Sequence, residues 1–98
     1  MTGAPKKRSV EILQNLESHD RGLYSGVFGY WSVSGAGDWA VAIRSCFKHD
    51  DQDLSTDEEE WRIGAGGAIT ALSDPEAEWE EMLVKLNGVL RSFNAQVS

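Results

Sequence analysis

Glu78, Glu81 and Lys85 are spaced i, i+3 and i+7, so on a helix they share one face. Two carboxylates on a rigid backbone suit a hard cation such as Mg²⁺, which takes oxygen ligands and usually keeps several waters. Lys85 beside them would neutralise a carboxylate. The alternative is a solvated face whose Glu81–Lys85 pair adds about 0.3–0.5 kcal/mol to helix stability. A second candidate is residues 64–70, GAGGAIT, with three glycines and two alanines in seven residues. No Gly-Lys-Ser/Thr follows, so it is not a phosphate-binding P-loop. Ile69 stands where a dinucleotide fingerprint needs its third glycine. What remains is a strand of bare backbone, whose amides could meet an anion or whose missing side chains could admit a neighbour. Arg44 is the third candidate: a guanidinium fork suits a carboxylate, and the alternative is an arginine at an exposed strand edge. His19 and His49 fall in polar connections, and no nucleophile–base pair makes either of them catalytic.

The elements that must carry these groups follow from periodicity and punctuation. Pro5 to about Leu16 reads as a helix, with Val10, Leu13 and Leu16 at helical spacing, proline in the first turn and Thr2 as its cap. Leu23–Ser34 is rich in aromatics and valine, as strands are, with Gly26 and Gly29 marking close approach of another backbone or a ligand. After a short turn, SGAGD, Trp39–Lys48 completes a hairpin. Its alternation puts Trp39, Val41, Ile43 and Phe47 on a bulky core face and Ala40, Ala42, Arg44 and Cys46 on the other. Trp61–Thr70 reads as a third strand ending in the glycine-rich stretch. Ser73 and Glu76 match a capping box, and Pro75 opens a helix to about Phe93. Its apolar stripe is Trp79, Met82, Leu83, Leu86, Val89/Leu90 and Phe93. The order helix, three largely antiparallel strands, helix is an α+β arrangement.

Ninety-eight residues allow one small domain with a marginal core. The net charge of −7 is local: residues 50–60 hold seven acids and no base, and the remainder balances nine acids against nine bases. Residues 49–60 are therefore read as an acidic, mobile, solvated loop. Nucleic acid is not an expected partner, because phosphate binding needs a basic stripe and the only basic cluster is Lys6-Lys7-Arg8. No apolar run approaches the roughly 20 residues of a membrane span, and no signal-peptide pattern opens the chain. The single Cys46 excludes an internal disulfide and fits a reducing compartment, so the expected location is the cytoplasm.

Taken in order, TGAPKKRSVEIL, RGLYSGVFGYWSVSGAGDWAVAIRS and GAGGAITALSDPEAEWEEMLVKL resemble the C-terminal end of the chorismate-utilising enzymes. That family includes anthranilate synthase component I, aminodeoxychorismate synthase component I, and isochorismate and salicylate synthases. The resemblance covers nearly the whole chain apart from the acidic loop and the last few residues. MTGAPKKRS and GYWSVSGAGDW look most like the fungal para-aminobenzoate branch. The resemblance implies that Glu81 is a magnesium ligand and Glu78 its companion, and that Lys85 lies beside the ring-carboxylate end of chorismate. It implies that Tyr24 and Arg44 bind the enolpyruvyl carboxylate, that Gly66 and Gly67 lend amides to a substrate carboxylate, and that Thr2 is a pocket hydroxyl. Ala68 departs from the family, standing where many relatives have another glycine.

The family's other acidic metal-binding segment, catalytic histidine and lysine nucleophile lie upstream of the Thr-Gly-Ala-Pro-Lys string and are not in these 98 residues. Met1 is accordingly expected to be internal to a longer enzyme or the start of a truncated reading frame. The implied parent aminates chorismate in folate biosynthesis, with Mg²⁺ as cofactor. Its partners would be a glutamine amidotransferase domain or subunit and the missing N-terminal portion. Anthranilate synthase component I is the alternative within the family. A non-catalytic fragment or protein-interaction module is the alternative of another class.

Overall fold

The computed structural model describes residues 1–50 and 58–93. Most of the acidic run, residues 51–57, lies outside the described residues, as do the last five. Helix α1 spans Lys6–Leu16, strand β1 Val27–Trp31, β2 Gly37–Val41, β3 Cys46–Phe47, β4 Arg62–Ile63 and helix α2 Pro75–Leu90. A single 3-10 turn, Arg91–Phe93, continues α2. Strands β1 and β2 form one antiparallel pair, and β3 and β4 a second. The architecture is α+β, as the element order indicates, but the three expected strands are four short ones in two sheets.

The hairpin forms because its turn supplies the required backbone. Ser32 and Ala36 close it with a 2.7 Å amide-to-carbonyl bond, and Gly35 takes φ +89°, a region that side chains disfavour. Its register pairs Val27 with Val41 and Gly29 with Trp39. A β-carbon at Gly29 would collide with the Asp38 carbonyl oxygen and stand 2.7 Å from the Trp39 ring, so glycine is there because the indole lies across it. Two more bonds, Ala42 N–H to Gly26 O at 2.8 Å and Ser25 N–H to Ala42 O at 2.9 Å, carry the ladder past the regular strands.

Beyond Ala42 the expected strand Trp39–Lys48 breaks. Arg44 adopts φ +51°, the left-handed region, and the Ser45 hydroxyl donates to the Ile43 carbonyl at 2.8 Å. A side chain bonding back to local backbone competes with the sheet ladder. The kink separates β2 from β3 and ends the strict alternation, so Ile43 and Phe47 do not continue a bulky face begun by Trp39. The burial does not follow that expectation: Ala40 and Arg44 are exposed and Val41 and Phe47 half-buried. Among the described residues Ala42, on the small face, is the one buried hydrophobic side chain, while Trp39 is 61% exposed.

Two caps differ from expectation. Pro5, not Thr2, occupies the N-cap of α1, and no side chain caps it. Thr2 Oγ1 instead accepts a 2.9 Å bond from Lys6 Nζ. At α2 the cap is Asp74, one residue after the expected Ser73, and its carboxylate accepts from the Ala77 amide at 3.0 Å. Ser73 serves the preceding turn, where its hydroxyl accepts from the Thr70 amide at 2.9 Å. Pro75 follows at the first helical position, and Glu76 and Glu78 place negative charge at the positive end of the helix dipole.

The Cα radius of gyration is 16.5 Å, against about 13 Å for a compact domain of this length. Among the described residues, apart from the two strand pairs and the α2–3-10 junction, no two elements share an extensive interface. Among the described residues no helix is long and apolar enough to cross a membrane.

Candidate functional site

Residues 61–70 run back along α2. Trp61 meets Phe93, just past the C-terminal end of the helix, with ring centroids 5.5 Å apart. The turn closed by Ser73 N–H to Thr70 O, 3.1 Å, returns the chain to the N-terminal end. Between these anchors the glycine-rich backbone crosses the face bearing the two carboxylates. Only Arg62–Ile63 pairs as a strand, so residues 64–70 present backbone that is not committed to a ladder.

The glycines now have individual neighbours. A β-carbon at Gly67 would stand 3.1 Å from Glu78 Oε2 and 3.9 Å from Lys85 Nζ. A β-carbon at Gly66 would stand 2.8 Å from the Tyr24 hydroxyl, and one at Gly64 would collide with the Tyr24 ring. Gly64 and Gly66 thus face Tyr24, while Gly67 faces α2, as the alternation of extended backbone requires. The packing reading of GAGGAIT holds: the bare backbone admits an aromatic ring on one side and charged groups of α2 on the other.

Lys85 joins the two layers. Its ammonium pairs with Glu81 Oε1 at 2.6 Å and reaches the Gly66 carbonyl oxygen at 3.5 Å. The bond from Lys85, and then its charge, hold the Glu81 carboxyl below its ordinary value; the Arg44 guanidinium adds a weaker pull in the same direction. Arg44 therefore lies within electrostatic range of the carboxylate face. Among the described residues neither the Gly66 nor the Gly67 amide donates a hydrogen bond, so both donors are available to an anion.

Of the residues singled out from sequence, Gly66, Gly67, Glu78, Glu81 and Lys85 come together, Tyr24 lies against the other side of the glycine segment, and Arg44 is within electrostatic range of Glu81. Thr2 does not join them. It lines an open groove of about 480 Å³ with Val10, Leu13, Arg21, Tyr24 and Ser25. Among the described residues no group of three or more His, Cys, Asp or Glu converges as a metal cage. Two carboxylates on adjacent turns do match the donor set from which Mg²⁺ takes one or two protein ligands.

These features coincide with a family match. A profile described as chorismate binding enzyme covers residues 1–91. The chain belongs to the chorismate-binding enzyme family. It is 55% identical over 85 residues to the aminodeoxychorismate synthase, chloroplastic, of Arabidopsis thaliana, which covers 87% of this chain and 8% of that protein. It is 46% identical over 102 residues to the aminodeoxychorismate synthase of Saccharomyces cerevisiae, covering 95% of this chain and 12% of that protein. Anthranilate synthase component 1 of Haloferax volcanii is 42% identical over 90 residues, covering 92% of this chain and 16% of that protein. The chain thus spans a small part of each relative. No solved structure matches it significantly.

Two contributors to this piece of the chorismate-binding fold escaped sequence reasoning. Asp74 was hidden by the neighbouring Ser73, which offered an equally good capping signature. Gly64 was read only as part of a bare run. The signal for it, a tyrosine forty residues upstream, is not local.

Proposed function

We propose that this chain forms one wall of the chorismate site of an aminodeoxychorismate synthase, the enzyme class that replaces the ring hydroxyl of chorismate with an amino group from ammonia. The carrying observation is the glycine segment itself: Tyr24 lies against one side of it at Gly64 and Gly66, Glu78 and Lys85 lie against the other at Gly67, Lys85 ties it to Glu81, and the Gly66 and Gly67 amides are free between them. Chorismate is a dicarboxylate, and this surface offers amides, an ammonium and a guanidinium to carboxylates and two acids to a cation. Glu81, with Glu78 as companion, would hold Mg²⁺. When bound, the metal supplies stabilisation of the negative charge that develops as the ring hydroxyl departs. Lys85 orients the ring-carboxylate end, Tyr24 and Arg44 the enolpyruvyl carboxylate, and Thr2 supplies a hydroxyl at the pocket margin.

The partners of this reading are the remaining portion of the synthase and a glutamine amidotransferase domain or subunit that delivers ammonia, in the cytoplasm. The aminodeoxychorismate branch is favoured over the anthranilate branch by 55% against 42% identity in the relatives compared. The 98-residue chain contributes two acids and no nucleophile, so alone it is inactive. Purified chain with Mg²⁺, chorismate and ammonia is expected to yield no aminodeoxychorismate, whereas a full-length synthase bearing this segment yields it. Product from the isolated chain would contradict the assignment of this segment as one wall of the site. A non-catalytic interaction module is the contrasting reading. It predicts that the full-length protein binds no chorismate in a Mg²⁺-dependent way by calorimetry.

A further inference from the structure

We infer that Gly64 is a positioning residue: its bare α-carbon seats the Tyr24 ring and thereby sets where the Tyr24 hydroxyl stands beside Gly66. Tyr24 lies lengthwise along the glycine backbone. A β-carbon at Gly64 would meet Tyr24 Cβ at 2.7 Å and overlap the base of the ring, while one at Gly66 would meet the hydroxyl oxygen at 2.8 Å. Two contacts two residues apart therefore fix both ends of one side chain. The backbone of Tyr24 is restrained as well. Ser25 next to it is buried, takes φ +63° and donates its amide to the Ala42 carbonyl at 2.9 Å. With its backbone held on that side, the ring cannot yield to a methyl at Gly64 by sliding. It must tilt, and the hydroxyl at its far end moves most. The Gly66 amide and the Tyr24 hydroxyl would then no longer converge on one carboxylate. Gly64 itself offers the ligand no group and acts only through Tyr24.

The inference rests on the reading of Tyr24 as a carboxylate-binding side chain, and the experiment separates the two. In a full-length synthase bearing this segment, Gly64→Ala is expected to raise the KM for chorismate about tenfold or more, the loss of one hydrogen bond to a charged group, and to change kcat less. Tyr24→Phe raises KM to a similar degree. In the Tyr24→Phe background, adding Gly64→Ala changes KM less than about twofold, because the hydroxyl it would displace is already gone. An equal Gly64→Ala effect in both backgrounds overturns the positioning role. An unchanged KM for Tyr24→Phe alone overturns instead the assignment of Tyr24 on which the inference stands. Should Gly64→Ala unfold the protein, Gly64→Ala/Tyr24→Ala is expected to recover a cooperative melt, because the collision is with that ring. Failure to recover would show that the strain lies elsewhere and overturn the inference.

Discussion

At the scale of single residues, the account turns on Lys85, which binds both a carboxylate of its own helix and the carbonyl of the strand-like segment above it. Lys85 holds the Glu81 carboxyl below its ordinary value of 4.5. A group with a depressed folded value contributes stability above its unfolded value and loses it as pH falls through the folded one. The Glu81–Lys85 contact is therefore expected to persist at neutral pH and to be lost only below about pH 4.5, in the acid range. In Lys85→Met the Glu81 titration, followed by carboxyl carbon NMR, should move upward toward the ordinary carboxylate range. An unchanged titration would mean that Lys85 does not set the charge state of the face. Glu81 is 56% exposed, so the expected effect concerns ionisation and metal binding more than fold stability.

At the scale of elements, helix boundaries and their charged face were legible because they depend on local chemistry. Pro75, the acidic first turn and the i, i+3, i+7 spacing all act within a few residues of one another. Cap identity was less legible, since Ser73 and Asp74 are both good N-caps and only the surrounding turn decides between them. Asp74→Ala is expected to cost the folded full-length protein about 1 kcal/mol in urea unfolding while leaving its Mg²⁺ dependence unaltered. Glu76→Ala should cost less. An equal loss from Glu76→Ala would restore the capping-box reading. The break in the second strand was not legible, because VAIRSCF alternates well enough for one continuous strand. What interrupts it is the left-handed Arg44 backbone, which composition does not announce. The glycine-rich segment was half legible: its bareness was evident, but its partners on either side come from residues 24 and 78, far apart in the chain.

For the whole molecule, the same apolar residues that mark strands and helix stripes leave a large surface uncovered. Trp31 is 80% exposed, Trp79 62%, Leu72 98% and Ile69 74%. On helix α2 Met82, Leu86 and Val89 are half-buried, while Trp79 and Val84 are exposed. Sequence periodicity identifies which residues are apolar, not which partner buries them, and this is why the expected core is largely absent among the described residues. Exposed large apolar side chains in this number favour association. The isolated chain should accordingly bind the dye ANS strongly and self-associate at low concentration, and the full-length synthase should do neither. A monodisperse, ANS-silent isolated chain would show that its elements pack more closely than described. The central claim, that the Glu78/Glu81 face of α2 serves a magnesium-dependent chorismate site, is tested most directly by the Mg²⁺ dependence of turnover in a full-length synthase carrying Glu81→Gln or Glu80→Gln. Glu80 is equally acidic but lies about 100° around the helix. The account predicts that Glu81→Gln raises the Mg²⁺ concentration for half-maximal activity at least about tenfold, the scale of one lost charged contact, and that Glu80→Gln leaves it unchanged. Equal responses from the two variants would contradict it.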